Sequence, residues 1–172
     1  ARKSTFFSGG IVAHISFAEP ICPELSQALF NSGESLGLTI HQGGTYLNME
    51  GPAFSTKAES ELYRQWGMDI IGMTNLTEAK LAREAEICYA TLAAVTDYDC
   101  WHPSHESVTI DIIIQNLSKN VVNAKRILKS AVKLIPATSK CSCQNCLKYA
   151  IITSKELIPE RTKKDLNIII CK

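Results

Sequence analysis

Residues 87–101 read Ile87-Cys-Tyr-Ala-Thr-Leu-Ala-Ala-Val95-Thr96-Asp97-Tyr98-Asp99-Cys100-Trp101, and this stretch decides the fold. Ile87 to Val95 carries no charge and little polarity, the pattern of a strand buried on both faces rather than of an alternating surface strand. Polarity switches at its carboxyl end, where Asp97 and Asp99 stand two residues apart. Open α/β sheets bind ligands outside the carboxyl ends of their strands, so the acidic pair marks the candidate site.

Working outward, Met68 to Met73 is a second apolar run, and Asn75 with Glu78 three residues later caps a predicted helix through about Glu86. Strand, helix and strand close on Ile87 as a right-handed βαβ crossover with parallel strands. Met73-Thr74 and Thr96-Asp97 then fall at one edge of the sheet. Further upstream, Thr56-Lys57-Ala58-Glu59 is a capping box opening a helix to about Trp66, with Gly67 as its stop and with Phe54 and Ser55 at its mouth. Leu38 to His41 and Thr45 to Met49 are predicted strands joined across Gln42-Gly43-Gly44.

Pro23 starts a helix whose Leu25, Leu29 and Leu36 recur near helical period, and Gly37 ends it. Ile11 to Phe17 alternates as a strand, with Ile11, Ala13, Ile15 and Phe17 on one face and His14 on the other. Downstream of a predicted loop from Asp99 to Glu106, Ile113, Leu117, Val121, Ala124, Leu128, Ala131 and Ile135 recur every three or four residues. They form one face of a long helix, or of two helices broken near Asn120, ended by Pro136. The whole is expected to be α/β, a mixed central β-sheet flanked by helices, in a single domain over residues 1–172.

Composition bounds the function. With 172 residues, 45% hydrophobic and 20% charged, the chain suits one globular domain with a sizeable core. A formal net charge of +1 gives no basic field for a phosphodiester backbone, so nucleic acid is not an expected partner. No uncharged run approaches the roughly 18 residues of a membrane span. A cytoplasmic protein with no membrane partner is expected.

Two Asp this close suit a metal site, an acid and base pair, or two hydrogen-bonding groups for a ligand with adjacent donor and acceptor. Metal is the weakest of these, because Mg²⁺ and Ca²⁺ draw several oxygens from a characteristic loop and Zn²⁺ prefers His or Cys. No metal is assigned to the pair. A plainer reading, in which Asp97 caps a turn and Asp99 is solvated, stays open.

Glu50-Gly51-Pro52-Ala53-Phe54-Ser55, Ala58-Glu59, Trp66-Gly67, Met73-Thr74, Glu78-Ala79, Glu84-Ala85 and Thr96 to Trp101 together resemble the methylthioadenosine phosphorylases, within the trimeric purine nucleoside phosphorylase group. The resemblance runs from about Phe7 to about Ile135 and implies a partial nucleoside phosphorylase fold. It implies phosphorolysis of 5′-methylthioadenosine to adenine and 5-methylthioribose 1-phosphate, a step of purine and methionine salvage, with inorganic phosphate as co-substrate and no cofactor. It also implies a homo-oligomer, a trimer or a dimer of trimers.

By the same resemblance Asp97 would relieve the departing purine at its seven-position nitrogen, burial favouring the neutral acid, and Asp99 would accept from the exocyclic amino group. Phe54 would pack on the purine, Ser55 would stand beside it, Met73 would meet the ribose, and Thr74 would donate to phosphate. Thr96 would line the pocket, Ile110, Ile113 and Ile114 would wall the methylthio group, and His14 would reach a neighbouring subunit's pocket. For Ile113 ordinary helix core is the stronger reading. The six-oxopurine relatives look for Glu after the loop Phe and Asn after the strand Thr. Ser55 and Asp97 stand there instead, which favours an adenine-type base. Adenosine or inosine phosphorolysis, or non-catalytic purine binding, are the alternatives.

In that family much of the phosphate site lies in sequence that would precede Ala1. Catalysis is therefore expected of a longer protein. The resemblance also implies a disulfide between Cys141 and Cys143, as in some heat-loving members. Cys22 with Cys88, and Cys100 with Cys146, are weaker pairings, and a structural zinc on Cys141, Cys143 and Cys146 with Cys171 is a further alternative.

Overall fold

The computed structural model describes residues 2–103 and 110–171, so the end of the loop expected to reach Glu106 lies outside the described residues. These residues gather into two compact units, residues 2–25, 76–91 and 137–171 in the first and 26–75, 92–103 and 110–136 in the second.

The helix started by Pro23 forms as α1 (Pro23–Ser35). In the second unit, β1 (Tyr46–Asn48), α2 (Lys57–Gln65) and β2 (Ile70–Gly72) make a βαβ unit. The strands pair in parallel, Tyr46 opposite Ile70 and Asn48 opposite Gly72. Both halves of the capping box form: the Glu59 N–H donates to the Thr56 hydroxyl at 3.2 Å, and the Thr56 N–H donates to the Glu59 carboxylate at 2.7 Å. Gly67, at φ 74, releases the chain from α2 into the next strand. The predicted hairpin at Gln42 to Gly44 is corrected by this pairing: residues 38–41 form no strand, and the partner of β1 is β2. Local turn chemistry at Gln42 to Gly44 gave way to a parallel crossover through α2.

Asn75 opens α3 (Asn75–Glu84), and α4 (Ile110–Ala131) runs unbroken through Asn120. Two further expected strands do not form. Ile87 to Val95 is extended but unladdered, and Ile87 and Val95 are 59% and 61% exposed, where burial on both faces was expected. A strand requires a second backbone in register, and among the described residues no ladder forms with this segment, to which the Cys22 N–H gives a single bond at the Tyr89 carbonyl. Residues 11–17 make only one antiparallel bridge, Ala13 to Ile151, although their alternation holds, with Ile11 buried and Val12, His14 and Ser16 exposed.

The carboxyl-terminal segment, in which the sequence offers little periodicity, supplies the core of the first unit. Two 3₁₀ turns (Ser142–Asn145 and Lys155–Leu157) and the short helices α5 (Glu160–Asp165) and α6 (Asn167–Ile170) carry it. Leu147, Ala150, Ile158 and Leu166 pack there with Phe7 and Ile11. Among the described residues no helix is long and apolar enough to cross a membrane.

Candidate functional site

The carboxyl ends of β1 and β2 set the position of the loop from Glu50 to Ser55. The Met49 N–H donates to the Gly72 carbonyl at 2.9 Å, continuing the ladder by one step. Gly51 then turns at φ 64, where L side chains are disfavoured, and a Cβ there would lie 2.7 Å from the Met73 sulfur. Glycine meets the backbone angle of this turn without strain and lets the loop lie against Met73, which is half-buried.

From this loop Ser55 reaches the acidic tip. Its hydroxyl donates to Asp99 Oδ2 at 3.4 Å, and Ser60, on the first turns of α2 and 1% exposed, donates to the same oxygen in a short contact. Asp99 Oδ1 accepts the Cys100 N–H at 2.9 Å. Asp99 is therefore not a solvated turn residue, because three donors converge on it. Asp97 differs. It is exposed, and its Oδ1 accepts the Thr96 hydroxyl at 2.5 Å, so the burial expected to favour its neutral acid is absent from this chain.

Next to Asp99 lies an aromatic group that the sequence reading passed over. Tyr98 stacks on His102 with ring centroids 4.2 Å apart, Trp101 meets both edge-on, and the Arg64 guanidinium of α2 stands 4.1 Å from the Trp101 ring. These contacts hold the segment from Tyr98 to His102 against α2.

Of the other expected residues, Phe54 is 84% exposed at the loop tip, Thr74 is exposed just before α3, and Thr96 is half-buried. Ile110 and Ile114 are exposed at the start of α4 and Ile113 is half-buried. His14 belongs to the first unit, where it is exposed and its main-chain N–H donates to Ala150. The structure thus brings Ser55 and Ser60 onto Asp99 and sets Met73, just after β2, against Gly51, while Thr96 and Asp97 contact each other two residues before Asp99. Sequence reasoning missed Ser60, Asn116 and Asn120. The two Asn, four apart on α4, carried the only available signal, an amide pair on one helix face.

The cysteine expectations are corrected. All seven thiols are free, so none of the three pairings is a disulfide. The Cys100 thiol faces the Ser55 carbonyl at 3.7 Å and the Cys146 thiol faces the Ser142 carbonyl at 3.5 Å. Burial pushes the Cys88 thiol up to about 12. For Cys141 burial acts in the same direction, but donors from Ser139, Cys143 and Cys88 outweigh it and hold the thiol at about 6.

A model of the phosphorylase superfamily matches residues 1–133. An S-methyl-5′-thioadenosine phosphorylase of Gloeobacter violaceus is 59% identical over 176 residues, which is 99% of the chain and 59% of that protein. The chain thus spans about three-fifths of the length of this relative. A crystal structure of a methylthioadenosine phosphorylase from an antarctic soil metagenomic library superimposes with a TM-score of 0.91 at 48% identity, covering 98% of this chain and 60% of that one. A double mutant of adenosine/methylthioadenosine phosphorylase from Schistosoma mansoni, in complex with adenine, gives 0.79 at 30% identity, covering 89% and 63%.

Proposed function

Because the chain belongs to the phosphorylase superfamily, we propose that it carries the base-recognition side of a nucleoside phosphorylase that cleaves 5′-methylthioadenosine with inorganic phosphate. The observation that carries the reading is the convergence of Ser55 and Ser60 on Asp99, which ties the loop from Glu50 to the acidic tip. The relatives named as methylthioadenosine phosphorylases and the adenine-bound neighbour support the substrate.

Phosphate oxygen bonds to the anomeric carbon as the bond from that carbon to purine N9 breaks, and the electron pair leaves with the purine. Asp97, protonated when the base covers it, gives its proton to N7, so that adenine leaves neutral. The Thr96 hydroxyl orients that carboxyl. Asp99 has about four lone-pair sites, of which three already accept donors, leaving one for the exocyclic amino group directly or through water. Phe54 stacks on the purine, Met73 packs on the ribose, and Thr74 donates to phosphate. Ile110, Ile114 and His14 meet the methylthio end, His14 from a neighbouring subunit of a homotrimer or a dimer of trimers. The reaction is a pentosyl transfer in cytoplasmic purine and methionine salvage and requires no cofactor.

The test is phosphate-dependent adenine release by protein carrying these residues with the remainder of the relatives' length. Asp97→Asn is expected to lower kcat by about a hundredfold or more with little change in KM. Unchanged adenine release would sink the proposal. Adenosine is the second substrate to compare, since the Schistosoma mansoni neighbour is an adenosine/methylthioadenosine enzyme. Hypoxanthine released from inosine as fast as adenine would move the assignment to a six-oxopurine enzyme.

A further inference from the structure

Outside the candidate site, the first unit gathers four thiols from three distant segments. Cys22 comes from the turn just before α1, Cys88 from the extended segment after α3, and Cys141 and Cys143 from the first 3₁₀ turn. Their four sulfurs all lie within 4.8 Å of one another, and Cys88 and Cys141 are 3.3 Å apart. A tetrahedral zinc with Zn–S bonds of about 2.3 Å sets its sulfurs about 3.8 Å apart, whereas a disulfide requires about 2.05 Å. The 3.3 Å separation is too long for a disulfide, and the four sulfurs are close enough together to surround one ion. Cys22 and Cys143 are buried, and Cys88 and Cys141 are half-buried.

The surroundings are built as those of a metal site are. The Ser139 hydroxyl lies 3.0 Å from the Cys141 sulfur and 2.7 Å from a Glu24 carboxylate oxygen. It also accepts the Cys141 N–H at 3.2 Å, and the Lys140 N–H donates to the other Glu24 oxygen at 2.7 Å. The Cys22 N–H donates to the Tyr89 carbonyl at 2.7 Å, which fixes the first two cysteine segments side by side. The Glu24 and Tyr89 contacts reach across sequence, so the cage does not depend on one loop.

We propose that Cys22, Cys88, Cys141 and Cys143 bind one structural divalent cation of the zinc class as a tetrathiolate. Soft thiolates select zinc over hard cations, and four protein ligands close the coordination sphere, which marks a structural rather than a catalytic centre. Four thiolates bind one Zn²⁺, the thiol protons still held being released, which leaves a site of charge minus two with no change of oxidation state. Ser139 supports the ligand sulfur from outside the cage. The assignment replaces the earlier choice of Cys146 and Cys171. The Cys146 sulfur instead accepts an Arg83 N–H at 3.3 Å, and Cys171 is exposed.

The full chain, purified under reductant, should contain one zinc by elemental analysis. Replacement by Co²⁺ should give visible tetrahedral bands with sulfur-to-cobalt charge transfer of four-thiolate intensity. Cys143→Ser should lose the metal or change that spectrum, Ser139→Ala should weaken affinity by about tenfold or more, and Cys171→Ser should change nothing. Should a cysteine variant not fold, the cobalt spectrum of the unaltered chain still counts the thiolates. Failure of the reduced chain to bind Zn²⁺ or Co²⁺, a spectrum with fewer thiolates, or a resting state with Cys22 and Cys88 or Cys141 and Cys143 joined as disulfides would overturn the proposal.

Discussion

The side-chain amide of Asn116 donates to the main-chain carbonyl of Thr96 at 2.8 Å, and one turn later on α4 Asn120 does the same for Val95 at 2.7 Å. Two helix side chains therefore occupy carbonyls at the place where a sheet partner was expected. They set the backbone from which Asp97 projects.

Asn116→Ala is expected to destabilise the second unit by about 1 kcal/mol, the net value of one such hydrogen bond. Asn116→Asp should cost more, because a carboxylate then faces a carbonyl. Urea unfolding with an unchanged slope checks both. Equal midpoints for Asn116→Asp and the unaltered chain would dismiss the clamp.

Ser60 and Asp99 make the second case. Ser60→Ala removes a donor from a carboxylate within a buried contact, and hydrogen bonds to charged groups are each worth about 1.5–3 kcal/mol. A loss of about 2 kcal/mol is expected. Asp97→Asn, at an exposed side chain, should stay within about 0.5 kcal/mol. The two acids thus separate by measurement: Asp99 moves stability and Asp97 moves only the chemistry. Equal stability losses would contradict the asymmetry seen around them.

Gly51 tests the loop. Gly51→Ala places a Cβ at a left-handed backbone, at a cost of roughly 1–2 kcal/mol, and also 2.7 Å from the Met73 sulfur. In a Met73→Ala background only the backbone part should remain. A double-mutant cycle reads the difference as a coupling between the two sites. Strictly additive losses would mean that the loop does not rest on Met73.

Much of the second unit was legible because its signals are local. The Thr56 and Glu59 pair and Gly67 act within a few residues and form as read; the period of α4 gives one unbroken helix, but Leu117, Val121 and Leu128 of the face expected to pack on the sheet are exposed. The strand at Ile87 to Val95 was misread for a physical reason. Its composition is that of a doubly covered strand, while its pairing depends on other backbones that composition does not record, and Val95 stands 61% exposed. The same limit hid Ser60, whose partner Asp99 lies 39 residues away, and the thiol cluster, in which Cys88 and Cys141 are 53 residues apart. Spacing cannot pair residues at that separation. Of the candidate site, sequence singled out Ser55 and Asp99, which the structure joins, and missed Ser60, which joins them from α2.

The capping box gives a pH dependence whose sign follows from its bonds. The Glu59 carboxylate accepts the Thr56 N–H at 2.7 Å and its hydroxyl at 2.8 Å, and the main-chain bond foremost holds its carboxyl below the ordinary 4.5. Protons bind the unfolded chain more readily at this group, so its stabilisation is complete above the unfolded value and is lost as pH falls through the lower, folded one. Glu59→Gln keeps an acceptor oxygen but does not titrate. Its midpoint should therefore lie below that of the unaltered chain by a constant amount near neutrality, with the gap closing in acid. A gap that stayed constant into acid, or widened there, would show that the charge on Glu59 contributes nothing to the start of α2. Thr56→Ala, which removes the other half of the box, should cost about 1 kcal/mol at neutral pH. Once Ala stands at position 56, Glu59→Gln should have less further effect, because part of what stabilised the carboxylate is gone.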